Sequence, residues 1–166
     1  MYRILLIALL LFSFYSGFGQ ENVAHDHESH NHSHSHNHEI SIGAGVVFLS
    51  PEYNVAPGFH LHYIKGIAFQ NRLGIGLGLE TILEEHKHYS ISVVFQYRIY
   101  KGLTAVYAPG ILILKEESEK ELQFAQHLEA AYEFELGAVH LGPMAGIGTA
   151  KEGIHYIIGV HFGIDF

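Results

Sequence analysis

The sequence predicts an all-β fold, an eight-stranded antiparallel up-and-down transmembrane β-barrel occupying residues 39–166. Three observations predict it. Eight segments after Glu39 alternate with period two, which sorts side chains onto the two faces of a strand. The connections alternate in kind, polar stretches at one end and tighter turns at the other. One face of the strands is rich in Gly and small residues and poor in charge. Such a face suits a narrow packed lumen, not a water-facing exterior, so the face carrying Phe, Tyr, Leu and Ile is expected to meet lipid.

The chain opens MYRILLIALLLFSFYSGFGQ. Arg3 supplies a positive start, an apolar run follows, and Gly17-Phe18-Gly19 fits a small-x-small cleavage pattern. Residues 1–19 are read as a secretory signal peptide. The apolar run, about a dozen residues, is short for a membrane-spanning helix of roughly 20. There is no Cys anywhere, so neither a lipid anchor on Cys nor a disulfide is expected in a chain that leaves the cytoplasm. The formal net charge of −8 and only nine Lys plus Arg offer no basic patch for nucleic acid.

Residues 20–38 contain HDHESHNHSHSHNH, with His25, His27, His30, His32, His34, His36 and His38 at nearly alternate positions. Too few apolar residues accompany them to pack, so a disordered arm is expected. Neutral imidazole binds Zn²⁺, Ni²⁺ and Cu²⁺. His-x-His alternation offers many interchangeable pairs of ligands, which suits capture and exchange better than a closed structural site. Asp26, Glu28 and Glu39 are candidate oxygen donors. A polar spacer is the other reading of this arm.

The strands follow in order. EISIGAGVVFLS places Ile40, Ile42, Ala44, Val46 and Phe48 on one face. VAPGFHLHYIK sets Phe59, Leu61 and Tyr63 against His60 and His62. RLGIGLGLE sets Leu73, Ile75, Leu77 and Leu79 against three glycines and Glu80. YSISVVFQYRIY sets Tyr89 to Ile99 against Ser90, Ser92, Gln96 and Arg98. LTAVYAPGILIL is apolar on both faces. LQFAQHLEAAYEFEL sets Phe124, Leu128, Tyr132 and Phe134 against His127, Glu129, Glu133 and Glu135. AVHLGPMAGIG sets Val139, Leu141, Ala145 and Ile147 against His140 and small residues. IHYIIGVHFGIDF sets Ile154 to Phe166 against His155, His161 and Asp165. Turns are expected around Lys65-Gly66, Lys101-Gly102 and Leu136-Gly137, and polar loops at SPEYN, LEEHKH, KEESEKE and TAKEG.

The last residue is Phe166, with apolar residues at every second position before it. This ending resembles the signal by which the barrel-assembly machinery recognises its substrates, and residues 39–166 resemble the small eight-stranded outer-membrane barrel superfamily of Gram-negative bacteria. The resemblance implies an outer-membrane location, outer-membrane lipid and the assembly machinery as partners, and termini on the periplasmic side. The arm also resembles His-rich segments of zinc- and nickel-handling proteins, which implies metal homeostasis or transport and possession of a metal-transporter partner. The alternatives are a structural or adhesive barrel and a lipid-modifying enzyme. His88-Tyr89-Ser90 resembles the His-x-Ser pair of outer-membrane lipid A deacylases, but Lys101-Gly102-Leu103 stands where that family carries its Glu. No catalytic residue is therefore assigned.

The inward face is expected to carry His60, His62, Glu80, Gln96, Arg98, His127, Glu129, Glu133, His140, His155 and His161. A hydrogen-bonded plug is expected, with Arg98 neutralised by Glu129 or Glu133. A second metal site, or a path for protons or metal ions, is the other reading of these residues.

Overall fold

The computed structural model describes residues 37–51, 54–84, 88–116, 119–151 and 153–166. Residues 1–36, including the arm histidines His25 to His36, residues 85–87 of EEHKH and residues 117–118 of KEESEKE lie outside the described residues. The strands are β1 (His38–Ser50), β2 (Val55–Ala68), β3 (Leu73–Ile82), β4 (His88–Tyr100), β5 (Leu103–Glu116), β6 (Glu119–Tyr132), β7 (Phe134–Leu136), β8 (Val139–Ala150) and β9 (Gly153–Asp165). Each pairs antiparallel with its sequence neighbour, β1 pairs with β9, and β6 and β7 both pair with β8. β6 and β7 are thus one stave interrupted at Glu133, and eight staves close into a barrel with no free edge.

The break falls where Pro143, which has no amide to donate, stands opposite Tyr132 in a register otherwise continuous from Ala131↔Met144 to Phe134↔Leu141. On the other side Glu133 stays tied to the β4–β5 turn. Gly102 takes φ +82° in the β4–β5 turn, and a Cβ there would sit 2.2 Å from the Glu133 carbonyl oxygen. The Glu133 amide instead donates to the Gly102 carbonyl at 2.7 Å. Only a residue without a Cβ admits this approach.

The outward face is apolar, as the alternation predicts. Ile40, Phe48, Leu61, Leu77, Ile91, Phe124, Tyr156, Ile158 and Phe162 are all exposed. No aqueous monomer tolerates so continuous an apolar surface, whereas lipid matches it. The strand expected to be apolar on both faces, β5, turns Val106, Ala108, Leu112 and Leu114 inward. Val106 and Ala108 fill one apolar patch of the lumen with Ile64 and Val94. A second patch joins Val47, Ala56, Ile82, Ala131, Met144 and Ile157.

Three connections differ from expectation, one of them TAKEG, where Thr149↔Ile154 and Ala150↔Gly153 belong to the β8–β9 ladder. β2 continues through Lys65-Gly66 to Ala68, and the turn falls at residues 69–72, where Phe69, Gln70 and Asn71 all have positive φ. KEESEKE is not a seven-residue loop. The backbone ladder runs on through Lys115↔Lys120 and Glu116↔Glu119, leaving a connection of residues 117–118.

Inward histidines face inward glycines across the strand pairs. His60 is opposite Gly43, His62 opposite Gly78, His140 opposite Gly163, and His155 opposite Gly148. A Cβ on Gly43, Gly163 or Gly148 would lie 2.0, 2.0 and 2.1 Å from the facing imidazole. The glycines are therefore the space into which the rings fold.

Closure at the chain ends rests on His38 and Phe166. Each backbone amide donates to the other's carbonyl, at 3.0 and 2.8 Å, and the His38 ring stacks on both Phe166 and Tyr63. Deleting Phe166 removes both hydrogen bonds and one ring contact. At roughly 0.5–1.5 kcal/mol net per hydrogen bond, the expected loss of stability is about 2–3 kcal/mol. Urea titration in detergent, read by heat-modifiable gel migration, measures it, and an unchanged midpoint would show that these contacts contribute nothing.

Candidate metal centre

Among the described residues, the lumen holds five carboxylates, Glu39, Glu80, Glu129, Glu133 and Asp165, and one guanidinium, Arg98. Six imidazoles accompany them: His60, His62, His127, His140, His155 and His161. Buried charge is costly unless neutralised. The acid surplus therefore needs protons on the imidazoles or a bound cation.

At the end of the barrel that carries His38 and Phe166, hydrogen bonds from the protein serve the acids. Arg98 donates to Glu39 Oε2 at 3.0 Å and to Asp165 Oδ1 at 2.7 Å. Gln96 Nε2 donates to Glu39 Oε2 at 2.8 Å, and Thr104 Oγ1 to Glu133 Oε2 at 3.0 Å. The expected partners of Arg98, Glu129 and Glu133, are thus corrected to Glu39 and Asp165. Glu39 is not an arm residue offering oxygen to a flexible site, since it is a buried member of β1.

Above this end, imidazoles and carboxylates alternate. His140 Nδ1 lies 3.6 Å from Asp165 and its Nε2 3.6 Å from Glu39. His161 Nε2 lies 3.8 Å from Glu39 and 3.6 Å from Glu133, and its Nδ1 3.7 Å from Glu129. His60 Nδ1 lies 3.4 Å from Glu129. His127 joins Glu129 (Nε2, 3.6 Å) to Glu80 (Nδ1, 3.4 Å), and His155 Nε2 lies 3.4 Å from Glu80.

These separations are informative. Both Glu129 oxygens, both nitrogens of His127 and of His161, and Nε2 of His60, His140 and His155 are buried without a hydrogen bond. The contacts exceed the 2.7–3.2 Å of ordinary hydrogen bonds. The shortest of them, at 3.4 Å, approach the spacing of about 3.3–3.4 Å between ligands that stand about 2.0–2.1 Å from a tetrahedral metal. Three groups bring one ligand atom per residue within 4.8 Å of one another: Glu39–His140–His161, His60–Glu129–His161 and Glu80–His127–His155. Imidazole and carboxylate donors at such separations could hold a metal ion.

Every inward residue expected from alternation faces the lumen. What alternation did not identify is the role of Glu39 and Asp165, although both share the inward phase of their strands, with Ser41 and His161 respectively. Of the seven arm histidines, only His38 lies among the described residues. Its ring is on the outer side beside Tyr63, whose hydroxyl is 2.8 Å from His38 Nδ1, and it joins none of the three groups. In the deacylase-like tripeptide, Ser90 faces the lumen and its hydroxyl donates to Glu80 Oε2 at 3.4 Å. His88 Nε2 instead lies 3.1 Å from Glu84.

No protein-family model matches the sequence, and no curated protein sequence does. Solved structures do resemble it. Neisserial surface protein A superposes with a TM-score of 0.55 at 13% identity, covering 78% of this chain and 97% of that one. The N-terminal β-barrel domain of Pseudomonas aeruginosa OprF gives 0.51 at 12% identity over 77% and 97%. The Yersinia pestis outer membrane protein Ail, in a phospholipid bilayer nanodisc, gives 0.50 at 14% identity over 77% and 99%. At such identities the likeness is one of fold, the closed eight-stranded barrel of small outer-membrane proteins.

Replacing Arg98 with Ala strips Glu39 and Asp165 of their cation. Breaking a fully buried pair costs about 3–5 kcal/mol. The Arg98 side chain is 33% exposed, so about 2–3 kcal/mol is expected here. A second change, Glu39→Gln, should recover part of the loss. The urea midpoints of the two variants test this, and equal stability of wild type and Arg98→Ala would refute the assignment.

Proposed function

We propose that this chain is an outer-membrane barrel that binds divalent transition-metal ions, Zn²⁺, Ni²⁺ or Cu²⁺, as a buffer or accessory in metal homeostasis or transport. The observation that carries the reading is the lumen itself. Its carboxylates and imidazoles stand at ligand-to-ligand spacing, with donor atoms that no hydrogen bond satisfies. The alternating histidines from His25 to His36 support it as a second source of ligands. His38 and Phe166 pair at one end of the barrel, so the arm enters the barrel where the chain also finishes. In this reading that end is periplasmic, and the arm holds ions there for exchange with a metal transporter.

Metal and proton compete for the same imidazole nitrogens, so binding should release protons and weaken with acid. Calorimetric titration with Zn²⁺ in detergent tests this on the full chain and on a version lacking residues 25–36. Measurements belong on either side of pH about 6.5, the ordinary imidazole midpoint. The full chain should bind more ions than the shortened one, and both should bind more weakly at the lower pH. At free metal about 100-fold above the dissociation constant, binding should add about 2.7 kcal/mol to folding stability. Equal uptake by both versions would remove the arm as a ligand source. No uptake by either would leave a structural or adhesive barrel.

A further inference from the structure

The three ligand groups are not equivalent. Glu80, His127 and His155 all line a cavity of about 390 Å³ at the loop end of the barrel. The residues of the two deeper groups do not. Side-chain exposure follows the same division, 17% and 18% for Glu80 and His155 against 0% for Glu129 and 1% for His161. The cavity walls include Ile82, Leu112 and Leu114, and Glu84 and His88 also line it.

We propose that Glu80, His127 and His155 form an exchangeable three-ligand metal site at the floor of this cavity, whose remaining coordination position takes a donor atom from a small monoanionic molecule such as a carboxylate. This rests on the metal-binding reading and goes further, by assigning one site and the class of its outer ligand.

The ligand count is the first argument. Three protein donors with a position left for water or a small molecule distinguish exchangeable sites from closed structural ones. The surroundings of the three donors are the second. Glu80 Oε1 stands 3.4 Å from both His127 Nδ1 and His155 Nε2, while its other oxygen accepts from Ser90 Oγ. His127 Nε2 points to Glu129 Oε2 at 3.6 Å. Glu129 is thus the carboxylate beside Nε2 when Nδ1 is on a metal, the kind of outer partner that orients metal-bound histidines. His155 folds over Gly148, where any Cβ would collide with its ring. Glu80 is thus held by a hydrogen bond and His155 by packing.

Charge and space decide the outer ligand. One carboxylate and two neutral imidazoles around a divalent ion leave a net charge of +1, which favours an anionic donor. The cavity is far larger than the roughly 30 Å³ of one water and falls within the range of small-molecule pockets, about 300–1,000 Å³. Its aliphatic walls suit a short organic body behind the anionic group.

Cobalt(II) with azide is the probe, added to the full chain in detergent. Tetrahedral Co²⁺ absorbs in the visible, and azide changes that absorption only where it can enter the coordination sphere. Wild type should bind Co²⁺ and show an azide-dependent change. His155→Ala and the nearly isosteric Glu80→Gln should each lose one equivalent of both, while keeping heat-modifiable migration as proof of folding. Co²⁺ uptake whose azide response is undiminished in the folded variants, or is absent in wild type, would overturn the inference and leave the metal reading intact. No Co²⁺ uptake by wild type would overturn both.

Discussion

Closure governs everything inside this protein. Pairing of β1 with β9 and of β6 with β8 turns eight staves into a tube, and a tube of eight staves is only wide enough for side chains. Every inward residue must therefore share one narrow space with residues from distant staves. Glycine opposite histidine is how that space is divided. The rings of His60, His140 and His155 lie over Gly43, Gly163 and Gly148, and two aliphatic patches fill the remainder. Enlarging any of these glycines would displace an imidazole, so the packing of the barrel and the chemistry of its lumen are one problem.

The same confinement sets the electrostatics. Five carboxylates around one guanidinium cannot all be satisfied by ion pairs. Arg98, Gln96 and Thr104 serve the acids nearest the termini. Towards the loops the acids have only imidazoles and Ser90 beside them. Low dielectric magnifies that imbalance.

The fold does not dictate this interior. Neisserial surface protein A, OprF and Ail share the barrel at 12–14% identity. Eight staves with an apolar belt are a scaffold that admits many lumens, and activity belongs to the residues placed there. Here the lumen is filled with imidazole and carboxylate, an expensive choice for a purely structural core, since aliphatic residues of similar volume would avoid the desolvation cost.

Much of the architecture was legible in the chain alone. Period-two alternation is local: Leu61 and Tyr63 outward with His60 and His62 inward can be read from neighbouring residues, because a strand's pleat fixes it. Strand number and the faces of the lumen histidines follow from that periodicity. Turn positions were less legible, as the extension of β2 to Ala68 and of the β5–β6 hairpin through Glu116↔Glu119 shows, since backbone pairing can carry polar residues into a ladder. Partnership was not legible at all. Arg98 is bound by Glu39 and Asp165, 59 and 67 residues away in sequence, and His155 meets Glu80 across the lumen. Alternation says that a residue points inward but not at which level it arrives. Register and closure decide the level, and only they bring Glu80, His127 and His155 around one point.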